Sequence, residues 1–380
     1  MNENKKMQKT KRTTILLLVF TPALLLADMF GTGTNQFAMD FVPITGGTNT
    51  DIPDAGYSVR YGAVPYNYRM GKHEVSRAMI SAYNAQSGGP AITLQDMTSY
   101  GGNGPNRPAA GISWNEAARF VNWLNTSTGH SPAYKFTTGG ANDNLALWTP
   151  GEAGYDPANP FRNTNAFYFL PSDDEWYRAA YYDPVARVYW DYPTGTDLPN
   201  TPASVTSGTN WNTAVYGLAV TNGPADITQA GGLSPFGTMA QGGNVAEWME
   251  SAEYAPNDAP AEDRAVRAST WYGSEFFLRP GRQGEATTLQ AFAIGFRVAS
   301  KALPAPVLRM LKPKRLANAL VMDIESNVGP VDVYRSTNLA NWGAAPIATN
   351  VAPGSNVVVD SAPPQLRAFY LLATPGAPPP

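Results

Sequence analysis

The sequence predicts an α+β fold with long irregular loops, followed by a small all-β, sandwich-like domain. Three observations lead there. Two segments open with helix-capping signatures and continue with apolar residues at helical spacing. Glycine (35) and proline (33) are spread through a 380-residue chain that is 43% hydrophobic, so turns are abundant and core material is ample. Near the C-terminus, four β-like runs separated by turn signals crowd into about sixty residues.

The N-terminus is read apart from the fold. Lys5, Lys6, Lys9, Lys11 and Arg12 form a basic region, and "ILLLVFTPALLLA" (15–27) an apolar one, followed at once by Asp28. About a dozen apolar residues are too few to span a bilayer as a helix, so 1–27 reads as a signal peptide and the mature chain has no membrane span. Ala27 is the best cleavage position, although Leu25 fits the small-residue rule poorly. The chain is therefore expected to be exported: periplasmic, cell-surface or secreted. A formal net charge of −3 gives no reason to expect nucleic acid as a partner. Cysteine is absent, which excludes disulfides, thiolate nucleophiles and Cys-ligated metals.

Further along, "QFAMDFVPI" alternates as a strand with Phe37, Met39 and Phe41 on one face. "VPYNYRMGKHEVS" is a second strand ending at Ser76, a helix N-cap, with Met79, Ile80 and Tyr83 on the buried side of the helix that follows. In "SWNEAARFVNWLN" (113–125), Ser113 and Glu116 form a capping box, and Ala117, Phe120, Val121 and Leu124 share a face. "LPSDDEWYRAAYY" (170–182) repeats the device with Ser172 and Glu175, turning Trp176, Ala179 and Ala180 inward. Asp173, Asp174 and Glu175 suit the positive end of that helix, a better account of them than a catalytic carboxylate set. From 191 to 300 no helical period is evident, and "AFAIGFRVAS" (291–300) reads as a buried strand. "KALPAP" (301–306) has linker composition, 307–374 is the sandwich-like domain with runs "ALVMDIES", "GPVDVYRS", "SNVVVDS" and "RAFYLLAT", and 375–380 is expected to be a disordered tail.

In order, "YRMGKHEVS", "GISWNEAARFVNWLN", "FLPSDDEWYRAAYYDP", "SPFGTMAQGGNVAEW", "RAVRASTW" and "IGFRVAS" resemble the sulfatase-modifying-factor family, whose founding members are formylglycine-generating enzymes. The resemblance covers roughly residues 35–300 and is closest to the exported bacterial branch. It implies a C-type-lectin-like fold, with two helices against small twisted sheets. It also implies an oxidase whose two cysteines hold copper, lying between an "RGGS" and a "GFR" motif. Here that window is "RASTWYGSEFFLRPGRQGEATTLQAFAIGFR" (267–297), and it holds no cysteine. Ser269, Ser274 and Glu275 offer only hard oxygens, so copper is not expected and no catalytic residue is assigned.

The resemblance further implies calcium at "QGGNVAEW", held by the carbonyls of Gly243 and Val245 and the carboxylate of Glu247. Ala240 stands at a fourth ligand position and supplies no side-chain oxygen, which weakens the site. The same residues also permit a purely structural corner. Glu247 would then accept hydrogen bonds from a neighbouring loop's N–H groups and Trp248 would fill the core, with Gly242 and Gly243 there for positive φ or close backbone approach. His73 and His130 lack metal or triad spacing, and Arg279, Arg282 and Arg297 suit internal carboxylate pairing.

Two functions follow as expectations. The first is an exported, non-catalytic binding or scaffold protein whose ligand is an extracellular or envelope protein or glycan. The alternative is a formylglycine-generating oxidase or another loop-borne enzyme. A diversified ligand-display protein is a third reading, against which the appended C-terminal domain counts.

Overall fold

The computed structural model describes residues 15–19, 27–51, 59–137, 145–254, 256–303, 308–316, 319–326, 329–337, 342, 345–363 and 368–373. They fall into two units, one of Leu25–Leu303 and one of Met1–Leu24 with Pro304–Pro380. Most of the expected signal peptide, part of the 301–306 linker and the 375–380 tail lie outside the described residues.

Among the described residues of the larger unit, three α-helices form where polar caps meet apolar periodicity: α1 (Arg77–Gln86), α2 (Trp114–Ser127) and α3 (Asp173–Tyr181). At the start of α2 the Ser113 hydroxyl accepts the Glu116 N–H at 3.2 Å, and the Glu116 carboxylate accepts the Ser113 N–H at 2.9 Å. Ser172 and Glu175 repeat the exchange at α3, satisfying donors a helix start leaves open. Ile80 and Tyr83 of α1 are buried, whereas Met79 is half-buried. Ala117, Phe120, Val121 and Leu124 of α2 are fully buried, each large apolar side chain contributing about 1.5–3 kcal/mol. The Phe120 ring meets Tyr83 at 5.9 Å and Phe296 at 5.7 Å, joining both helices to the sheets.

Two four-stranded sheets organise the unit. In one, Phe41–Ile44, Tyr68–Gly71, Ala299–Lys301 and Tyr168–Phe169 lie in that order, all antiparallel. In the other the order is Arg282–Glu285, Arg264–Arg267, Ala246–Ala252 and Ile294–Gly295, the last pair parallel.

Two expected strands divide here. "QFAMDFVPI" breaks at exposed Asp40, whose carbonyl accepts the Lys72 N–H. Phe37–Met39 pairs with Asp28–Phe30, while Phe41–Ile44 joins the first sheet. "AFAIGFRVAS" likewise contributes Ile294–Gly295 to one sheet and Ala299–Lys301 to the other. The crossing residues Phe296, Arg297 and Val298 are buried between them.

The smaller unit contains two further sheets. One runs Ile15–Val19, Ala368–Ala373, Val331–Ser336 and Ala348–Val351, and the other Leu308–Leu316, Ala319–Ser326 and Gly354–Asp360. Met310, Met322 and Ile324 from the second sheet join Val331, Val333 and Leu372 from the first in one apolar core. Leu308–Leu316 was not anticipated because a bulge between Leu311 and Lys314, with Lys312 at φ 48°, breaks its alternation. Among the described residues no helix is long and apolar enough to cross a membrane.

Candidate functional site

The strand Ala246–Ala252 starts at a corner that its own backbone makes necessary. Ala240 (φ 68°) and Asn244 (φ 67°) take left-handed conformations, so the positive φ falls on neither of the glycines between them. Gly243 is required for another reason: a Cβ there would sit 2.5 Å from the Val215 carbonyl oxygen. At Gly242 a Cβ would press on the Pro193 ring at 3.1 Å.

Glu247, the second residue of the strand, is completely buried and faces Arg297, also completely buried. Arg297 Nη2 donates to Glu247 Oε1 at 2.6 Å and Nε to Oε2 at 2.7 Å, a fork-to-fork pair. The Trp176 indole N–H donates to the same Oε2 at 2.6 Å. Arg297 spends its other N–H groups on the carbonyls of Gly71 (3.0 Å) and Met239 (2.8 Å), with a longer bond to Lys72. Trp248 fills the core on the opposite side of the strand and bonds the Ile112 carbonyl at 2.8 Å. The donors to Glu247 are thus side chains from α3 and the inter-sheet crossing, not N–H groups of a neighbouring loop.

A second carboxylate, Glu74, lies beside this pair. It accepts the Asn244 side-chain amide at 2.7 Å and the Val245 N–H at 3.3 Å. Burial first, then the Glu247 charge, push Glu74 up to about 8, against the pull of Arg297, Asn244 and Val245. Asn244 also accepts the Ala225 N–H at 2.7 Å through its side chain and the Trp271 N–H at 2.8 Å through its carbonyl. One residue therefore ties the corner to two loops.

Calcium takes about six to eight oxygen ligands. Gly243, Val245 and Glu247 are brought together, yet both Glu247 oxygens already accept short bonds from a cation and an indole. A second cation there would face Arg297 across a buried site, so this donor set does not fit the calcium that the resemblance implied. Among the described residues, no group of three or more acidic or histidine side chains is arranged to hold a metal ion.

In the 267–297 window, Ser269 is buried, whereas Ser274 and Glu275 are exposed. Trp271 is fully buried and donates its indole N–H to the Val220 carbonyl at 2.9 Å. From this anchor a column of near-parallel rings runs through Tyr272, Phe292 and Tyr100, with centroids 5.7 and 4.5 Å apart. Tyr272 is 40% exposed, Phe276 62% and Phe277 53%. A cavity lined by Thr194, Thr213, Ser234, Thr238 and Gln241 adjoins the corner; its volume, about 10 Å³, suits a single water.

The remaining candidates serve structure. His73 is half-buried and burial lowers it to about 4, which keeps the imidazole neutral. His130 stacks on Phe167 at 4.9 Å. The acidic start of α3 does more than cap. Asp173 pairs with Arg267, and Asp174 accepts the Gly62 N–H at 2.8 Å. Glu175 shares Arg162 with Glu250, at 2.9 and 2.8 Å. Sequence reasoning did not single out Glu74, Arg162 or the Tyr100–Phe292–Tyr272 column. Glu74 sat in a quoted motif, but its partners are 170 and more residues away.

Residues 31–302 match the sulfatase-modifying factor enzyme 1-like domain. The chain belongs to this family. The structure of Treponema denticola variable protein 1 is similar over 74% of this chain and all of that one, at 20% identity and a TM-score of 0.51, a likeness of fold. CarF (18% identity, TM-score 0.48, covering 70% of this chain and 99% of that one) and PvdO from Pseudomonas aeruginosa (17%, 0.45, 73% and 98%) are further structural neighbours. No curated protein matches the sequence. This sulfatase-modifying-factor-like chain carries no thiol at any position.

Proposed function

We propose that this protein is an exported, non-catalytic binding or scaffold module that uses a formylglycine-generating-enzyme-like domain to present a ligand-binding face. The observation that carries the reading is the fate of the 267–297 window. Where the family's oxidases need thiols, this chain has a buried tryptophan anchor and three large, exposed rings within six residues, Tyr272, Phe276 and Phe277. Exposed apolar groups clustered on a rigid support mark interaction surfaces, and aromatic side chains dominate binding hot spots. Export is supported by the basic and apolar organisation of residues 1–27.

The ligand class is an extracellular or envelope protein or glycan. A screen of the purified protein against glycan arrays and envelope extracts, repeated with a Tyr272→Ala/Phe276→Ala/Phe277→Ala variant, tests this. Binding that the triple variant loses while keeping its melting temperature supports the reading. Binding by neither protein, or by both equally, removes it.

A further inference from the structure

The Glu247–Arg297 pair is more than a local contact, because of what converges on it. Arg297 lies between the two sheets, and its five N–H donors reach Glu247, Gly71, Lys72 and Met239. Those acceptors sit on the strand after the corner, on the turn that ends Tyr68–Gly71, and just before the corner itself. Trp176 adds α3 to the same carboxylate. A bound metal ion would perform the same task by drawing oxygens from separate segments onto one positive centre.

We infer that the 240–250 corner is a metal-independent clasp, in which the Arg297 guanidinium is the permanent cation that fixes Glu247, the backbone before the corner and the turn at Gly71. Two further observations agree. Ala240, at the position where the resemblance calls for an oxygen donor, has none and instead takes a left-handed turn whose carbonyl accepts the Gly243 N–H at 3.3 Å. Asn244 spends its amide on Glu74 and its side-chain oxygen on Ala225, leaving neither free for an ion. A guanidinium is covalently part of the chain, so a chelator cannot strip it out.

The test uses the full chain. Elemental analysis and melting curves are recorded with excess chelator and with millimolar calcium, for wild type and for Arg297→Lys and Arg297→Met. The clasp predicts sub-stoichiometric calcium and a wild-type melting temperature that is the same with chelator or calcium. It also predicts a large fall for Arg297→Met that calcium does not restore, and a smaller fall for Arg297→Lys, which keeps the charge but loses the fork. Stoichiometric calcium, or a calcium-dependent rise of several degrees in wild type, would overturn it. If Arg297→Met does not fold, the wild-type arm and Arg297→Lys still decide.

Discussion

Asn244 donates its side-chain amide to the buried carboxylate of Glu74 at 2.7 Å. That bond places an acidic group 170 residues earlier in the chain against the corner, within the field of Glu247 and of its partner Arg297. One guanidinium thus faces two buried carboxylates, and the protein resolves the imbalance by keeping Glu74 protonated in the neutral range.

The folded state raises Glu74 from 4.5 to about 8. A raised acid contributes its stability fully below the unfolded value and loses it as pH climbs to the folded one. The groups facing Glu74 are Glu247, Arg297, the Asn244 amide and the Val245 N–H. Glu74→Gln stays neutral throughout. Its unfolding free energy, measured by denaturant melts, should therefore gain steadily on wild type between pH 4.5 and about 8, and hold a constant advantage above that. A difference that does not change with pH would contradict the assignment.

Arg162 bridges Glu175 and Glu250, at 2.9 and 2.8 Å, and both carboxylates are buried. Removing one side of such an arrangement costs about 3–5 kcal/mol, because both buried carboxylates lose the guanidinium that is hydrogen-bonded to them. Arg162→Met should show a loss of that size in urea unfolding at pH 7. A loss below about 1 kcal/mol would place the pair among solvent-screened contacts instead.

Two of the corner's small residues, Gly243 and Ala240, should respond differently. Gly243→Ala forces a methyl against the Val215 carbonyl and should destabilise by about 1–3 kcal/mol. Ala240→Gly relieves a left-handed alanine at φ 68°, partly offset by the freer unfolded chain, and should lie between neutral and about 1 kcal/mol stabilising. Thermal melts of the two variants against wild type check the signs.

The parts legible in sequence were those encoded locally. Ser113 with Glu116 and Ser172 with Glu175 announced their helices because both halves of a capping box lie three residues apart. The runs at 319–326, 331–336, 354–360 and 368–373 announced strands by their β-branched and aromatic content. Glu247 stood out by its motif and Arg297 as a residue suited to internal carboxylate pairing, but nothing in the sequence joined the two. Arg297 is 50 residues later, and only the switch of chain from one sheet to the other at Phe296–Val298 brings it across. Arg162 was invisible for the same reason, lying in a loop without period and facing carboxylates 13 and 88 residues distant. The ring column needs Tyr100 and Phe292 to meet across most of the domain. Strands of two residues, such as Tyr168–Phe169 and Ile294–Gly295, are too short to leave a periodic trace.

The most direct test of the account is a peptide-oxidation assay on the full chain after copper titration. The substrate is a cysteine-containing sulfatase peptide with oxygen and a thiol reductant, and the product is read by mass spectrometry. A chain built to bind rather than to oxidise predicts no stoichiometric high-affinity copper and no formylglycine above the copper-only control. Stoichiometric copper binding with enzyme-dependent formylglycine would contradict it.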